Sequence, residues 1–238
     1  MYSVGASASL VDVPPLDPLR GSLIHTGRWL PGGFARKLQN VTGYLEVGRW
    51  LRENNFGPGH GAKVREDLWE QIGQSVRDQN VLYLEFGVAA GAATRYWSRL
   101  LRNPASNLHG FDSFEGLPEK WGTMPKGTFS QDGKIPQVDD PRVKFFKGRF
   151  QDTLPQYEPP VHDVLVLNLD ADLYSSTALI LGVLHPWIKP GTYVYLDEFS
   201  SPQHEFRAFS EFVARTGAGF SLLGSTPLYR QVAFQRLA

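Results

Sequence analysis

The sequence predicts an α/β fold: a mostly parallel sheet, helices on both faces, and an antiparallel pair closing its C-terminal edge. Three observations lead there. Strand-like and helix-like stretches alternate from Val81 onward, the signature of parallel β-α-β units. The run VLYLEF, residues 81–86, is apolar almost throughout, as a strand buried on both faces must be. Acidic residues follow several strand candidates directly, at Asp112, Asp170 and Asp197, where open sheets of this kind bind ligands.

The elements follow in order. Up to Gly61 the chain is interrupted by Pro14, Pro15, Pro18, Pro31, Gly32 and Gly33, with one helix-like stretch near residues 41–52 before the loop FGPGHG. Residues 1–61 therefore read as a lead-in or cap, and residues 62–238 as the ligand-binding domain. Val64, Leu68, Ile72 and Val76 recur every fourth residue, an amphipathic helix ending near Asn80. After the first strand come a helix near residues 94–101 and a short strand, LHGFD, ending at Asp112. Residues 143–146, 164–169 and 193–196 read as three further strands, with helices over 175–187 and 203–216. FSLLG and QVAFQRL have no helix between them and are expected to pair antiparallel at the edge. No repeat or low-complexity segment is found.

Composition narrows the function. At 238 residues the chain suits one domain with an elaboration, by the prior of about 150 residues per domain. Lys+Arg and Asp+Glu are 24 each, so no global field draws the chain to nucleic acid or an anionic membrane. There is no cysteine, which removes thiolate metal sites and a cysteine nucleophile and leaves only oxygen or imidazole as metal ligands. No apolar run reaches the roughly 18 residues of a bilayer-spanning helix, and the start lacks a signal-peptide layout, so a cytoplasmic location is the default.

The first strand runs into EFGVAAGAAT, with Glu85, Gly87, Gly91 and Thr94 as its anchor points. Glycines there let backbone pass close under a ligand, and the next helix offers free amides; tight turns alone would also explain them. The loop lacks the three glycines of GxGxxG that admit a pyrophosphate, which counts against a nicotinamide-dependent dehydrogenase. An acidic residue before a two-glycine loop suits a ligand with a cationic end, and S-adenosylmethionine carries an ammonium and a sulfonium but no phosphate. Asp112, about 20 residues beyond the glycine loop, is placed to accept both hydroxyls of a ribose; Glu115 three residues on equally suits a capping box.

Asp170 and Asp172 follow the fourth strand, and Asp197 and Glu198 the fifth. Adjacent strand ends can bring such oxygens into one cation shell, magnesium taking them at about 2.1 Å. Alternatively they are solvated acids, with Asp172, Ser175 or Ser176 capping the following helix. His60 and His204 lie where a substrate can reach, as candidate catalytic bases, though a lone histidine is more often structural.

EFGVAAGAAT, GFDSFEGLPE, KGRFQDTLP, LDADLYSST and LDEF occur in the order and spacing of class I S-adenosylmethionine-dependent methyltransferases, and resemble most the macrocin O-methyltransferase family. The resemblance runs from about Val81 to Leu237. It implies a Rossmann-like seven-stranded sheet with the last strand antiparallel, cofactor contacts from Glu85, Gly87, Asp112 and Ser113, and adenine contacts near Phe150. It also implies magnesium held by Asp170 and the acidic pair after the fifth strand. That pair is Asp197-Glu198 here where the family carries Asp-Asp, and residues 1–60 show no match. The expected function is methyl transfer to a hydroxyl of a small molecule, sugar-bearing or another natural product, assisted by magnesium. Asp170 would be metal ligand, cofactor neighbour and proton acceptor, and residues 1–61 would cover the acceptor. Rival readings are a metal-independent methyltransferase and a catalytically silent cofactor-binding protein. No nucleic-acid or membrane partner is expected, and a homo-oligomer is left open.

Overall fold

The computed structural model describes residues 18–57 and 61–238. It contains a seven-stranded sheet of order β3-β2-β1-β4-β5-β7-β6: β1 Val81–Phe86, β2 Asn107–Asp112, β3 Val143–Lys147, β4 Val164–Leu169, β5 Tyr193–Leu196, β6 Phe220–Ser225 and β7 Val232–Arg236. The first five pair parallel with one another, and β7 is antiparallel to both β5 and β6. The expected antiparallel pair is present, with β7 inserted beside β5 and β6 outermost. The helices are α1 Pro18–Gly27, α2 Gly32–Glu53, α3 Arg65–Val76, α4 Ala92–Leu100, α5 Phe150–Thr153, α6 Tyr174–Leu184 and α7 Glu205–Thr216.

Two compact units divide between Thr42 and Gly43, earlier than the boundary after Gly61 that the proline and glycine punctuation suggested. Residues up to 42 carry α1, which the sequence did not announce, and the first half of α2. Pro31 and Gly32 mark where α2 starts instead of interrupting a loop: the Pro31 carbonyl accepts from the Phe34 and Ala35 amides. The second half of α2 is core material of the second unit. Val47 and Leu51 are buried, and Trp50 meets Phe56, Phe199, Phe206, Phe209 and Phe234 with ring centroids 5.3 to 6.4 Å apart.

Alternation along the strands sorts the sheet's two faces. Leu82, Leu84 and Phe86 of β1, Leu165, Leu167 and Leu169 of β4, and Val194 and Leu196 of β5 belong to the face with α6, α7 and the end of α2. Val81 and Tyr83, Val166, and Tyr193 and Tyr195 belong to the other, with Leu68, Trp69, Ile72 and Val76 of α3 and Trp97 of α4. The fourfold spacing in α3 is thus the stripe that meets the sheet. Continued past the strand ends, the same parity sends Glu85, Asp112, Asp170 and Asp197 toward the α3–α4 side.

Trp97 is fully buried and stacked on Tyr83 at 4.8 Å between centroids. Trp97→Ala should lower unfolding free energy by about 3–5 kcal/mol in urea denaturation. A loss below about 1 kcal/mol would mean this face is not packed as described.

Candidate active site

A cavity of about 510 Å³ opens beyond the carboxyl ends of the strands, where strand order reverses between β1 and β4. Its wall takes Gly87 and Ala89 after β1, Asp112 and Ser113 after β2, Gly148 to Gln151 after β3, Asp170 to Asp172 after β4, and Asp197 and Glu198 after β5. Leu117, Trp121, Met124 and Phe129, from the long β2–β3 connection, add an apolar side, and Arg65 and Arg230 complete the acidic end.

The β1 exit is fixed by its neighbours. The Gly87 amide donates to the Phe111 carbonyl at 3.1 Å, and the Asp170 amide donates to the Phe86 carbonyl at 2.9 Å. Gly87 has φ +95, and a Cβ there would strike the Asp170 carbonyl. Asp112 ties the next turn: one carboxylate oxygen accepts from the Ala89 amide and the other from the Phe114 amide, each at 2.8 Å. The capping box with Glu115 does not form, because the Glu115 amide donates to Ser113 Oγ. Each Asp112 oxygen keeps a lone pair, on the cavity wall. Phe150, at the start of α5, lies edge-on to Phe86 and presents an apolar surface to the cavity.

Glu85, expected to touch the cofactor, stands outside the wall. It is buried behind the loop, where Tyr83 and Thr94 donate their hydroxyls to one carboxylate oxygen at 3.1 and 2.7 Å. Thr94 is spent on that bond, and Gly91 serves as the left-handed N-cap of α4 (φ +76), so neither borders the cavity. Burial outweighs these hydrogen bonds and pushes the Glu85 carboxyl up to about 8.

The acidic end differs from the expectation most. Asp197 Oδ1 accepts from the Tyr195 hydroxyl at 2.5 Å and from Arg65 Nη1 at 3.2 Å; the same nitrogen is 3.7 Å from Asp170 Oδ2. Glu198, one residue on, points elsewhere and accepts from Arg230 Nη2 and Nε at 2.8 and 3.1 Å. Asp170, Asp197 and Glu198 therefore do not gather round one point, and among the described residues no group of three or more carboxylates and histidines is placed to hold a metal ion. The arrangement does not fit the expected magnesium. Asp172, at φ +58, caps nothing: α6 starts without a side-chain cap, and the Ser175 hydroxyl goes to Glu119. Burial, then Glu198 and Asp197, raises Asp172 to about 7, while burial and the surrounding Asp197, Glu205 and Asp172 push Asp170 well above the usual carboxylate range.

Two features escaped the sequence reading. Glu205, fully buried at the start of α7, accepts from the Ala171 and Glu198 amides at 3.3 and 2.9 Å, joining the loops after β4 and β5. Its place at a helix N-terminus, three residues past a proline, was the available signal. Arg65, at the first turn of α3, faces the acids because that helix covers their side of the sheet. His204 is not on the cavity wall; it sits half-buried, its ring 6.2 Å from that of Trp121. His60 lies outside the described residues.

The sheet order and the strand-end cavity are those of a Rossmann-like fold of the kind found in solved O-methyltransferase structures. Residues 124–220 match the family described as Macrocin-O-methyltransferase (TylF), in line with the motif resemblance. The chain is 31% identical over 106 residues to a mycinamicin III 3''-O-methyltransferase of Micromonospora griseorubida, covering 42% of this chain and 39% of that one. It is 30% identical over 142 residues, 49% of this chain and 52% of the other, to an 8-demethyl-8-(2,3-dimethoxy-alpha-L-rhamnosyl)-tetracenomycin-C 4'-O-methyltransferase of Streptomyces olivaceus. The chain thus spans about half or less of the length of these curated relatives. Among solved structures it is similar to the O-methyltransferase NovP: TM-score 0.53, 26% identity, 73% of this chain and 78% of that one. Among the described residues no helix is long and apolar enough to cross a membrane.

Glu85 supplies a pH test. Its pKa is raised on folding from 4.5 to about 8, so the folded chain holds this proton more tightly than the unfolded one. The stability it contributes is complete below pH 4.5 and is lost as pH rises through about 8. Glu85→Gln should flatten the fall in urea midpoint across that interval; an identical pH profile for variant and wild type would contradict the burial argument.

Proposed function

We propose that this chain is an S-adenosylmethionine-dependent O-methyltransferase acting on a hydroxyl of a small molecule, sugar-bearing or another natural product. The observation that carries the reading is Asp112: a carboxylate fixed by two backbone amides, on the wall of a strand-end cavity, with lone pairs left for a ribose diol. Gly87 keeps the loop low beneath the cofactor, Ser113 borders the same end, and Phe150 offers an apolar face to the adenine. When bound, S-adenosylmethionine supplies an electrophilic methyl on a sulfonium and leaves as a neutral thioether.

The chain's own residues then account for the rest. The apolar wall of Leu117, Trp121, Met124 and Phe129 seats the acceptor and excludes water, and holding donor and acceptor in line supplies much of the acceleration. Asp170, on the wall at the end of β4, takes the acceptor's proton as the oxygen–methyl bond forms; this role needs its ionised form, which burial disfavours and the Arg65 guanidinium 3.7 Å away favours. His204 plays no part in this assignment, since it is off the wall. The relatives named for 3''-O- and 4'-O-methylation, one of them on a rhamnosyl group, support a glycosylated natural product as acceptor class.

S-adenosylhomocysteine should raise the melting temperature, by about 2.7 kcal/mol of added stability at a hundredfold excess over its dissociation constant, while NAD has no comparable effect. Asp112→Ala should weaken that binding by about 1–3 kcal/mol through loss of charge-assisted hydrogen bonds. A variant that melts lower yet binds normally would make Asp112 a turn anchor only.

A further inference from the structure

The carboxylates expected to hold a divalent ion are already served by side chains of this chain. Asp170 and Asp197 converge on one atom, Arg65 Nη1, at 3.7 and 3.2 Å, and Glu198 is drawn aside by the Arg230 guanidinium. A magnesium ion needs oxygens at about 2.1 Å on near-octahedral vectors. An ion shared by Asp170 and Asp197 would have to bind both carboxylates that Arg65 Nη1 already approaches, so the two cations compete for one place.

Arg65 is also held in place independently of the acids. Asp67 accepts from the Lys63 and Val64 amides at 2.7 and 3.2 Å, fixing the start of α3, and the stripe Leu68, Ile72 and Val76 anchors the helix on the sheet. The guanidinium carbon sits 5.6 Å from the centroid of the buried Trp69 ring. A cation in the first turn of a helix opposes the helix dipole, and the facing carboxylates offset that cost.

We propose that Arg65 is the resident cation of the Asp170–Asp197 pair, standing where a divalent metal would have to bind, so that the acceptor side of this cavity works without one. Because Arg65 lines the cavity, its guanidinium also provides positive charge beside the acceptor oxygen, in a fixed, prearranged form. Arg230 completes the set by engaging Glu198, the residue whose extra methylene lets it reach away from the pair. The inference deepens the methyl-transfer reading, but its test does not depend on methyl transfer.

Manganese, as an oxygen-preferring paramagnetic probe, reports binding through loss of its free-ion resonance signal. Wild-type chain titrated with Mn(II) from micromolar to millimolar should leave that signal intact. Arg65→Ala should take up one Mn(II) per chain with affinity gained at least about tenfold, the scale of removing a like charge at contact distance. Adding Asp197→Asn to that variant should abolish the uptake, and Arg65→Lys should behave as wild type. Stoichiometric Mn(II) uptake by the wild type that Asp197→Asn removes would overturn the proposal without any Arg65 variant. So would a folded Arg65→Ala that binds no better than wild type. S-adenosylhomocysteine melting shifts on the same samples report the cofactor reading separately: their absence alongside the expected Mn(II) pattern would remove that reading and leave this inference standing.

Discussion

The carboxyl edge of the sheet depends on one close passage, that of the β1 exit beneath the β4 exit at Gly87. The backbone there turns at φ +95 with no room for a Cβ against the Asp170 carbonyl, and the Phe86–Asp170 and Gly87–Phe111 hydrogen bonds hold three strand ends together. A larger residue would push β4 away and displace Asp170 and the β1 loop at once. The cofactor end and the acidic end are therefore mechanically one object, even though different loops build them.

From that edge, strand parity distributes the chemistry. Asp112, Asp170 and Asp197 end strands whose alternate residues face α3 and α4, and they reach the cavity rim on that side. The consequence is that the start of α3 answers two of these carboxylates, Asp170 and Asp197, through Arg65, while backbone amides hold Asp112. On the other side Glu205 answers with acceptor oxygens, satisfying amides of both acidic loops from a fully buried position. The two charged residues have opposite tasks: Arg65 compensates charge, while Glu205, held neutral-leaning by burial, fixes backbone.

Much of the fold was legible because its signals are local. The unbroken apolar run of β1, the fourfold stripe of α3 and the turn-rich gaps each follow from periods that a linear reading can count. The insertion of β7 between β5 and β6 was not, since sheet order depends on contacts between distant segments. At the site, the spacing of Asp112 to the glycine loop pointed to the end of β2, where the structure puts its carboxylate on the cavity wall. Glu85 lies off the cavity for a physical reason: its parity turns it inward, where Tyr83 and Thr94 donate to it, while Gly87 and Ala89 line the wall. The magnesium expectation finds no support in the placement of these carboxylates among the described residues. Acidic residues at adjacent strand ends announce a need for positive charge, but the sequence does not say that an arginine more than a hundred residues upstream meets it.

In the proposed site the strand-end cavity holds S-adenosylmethionine with its ribose on Asp112. A crystal structure of the chain with S-adenosylhomocysteine tests it most directly. Both ribose hydroxyls are expected within hydrogen-bond distance of the Asp112 carboxylate, with the adenine against Phe150. Ligand density elsewhere on the molecule, or a ribose that leaves Asp112 untouched, would contradict it.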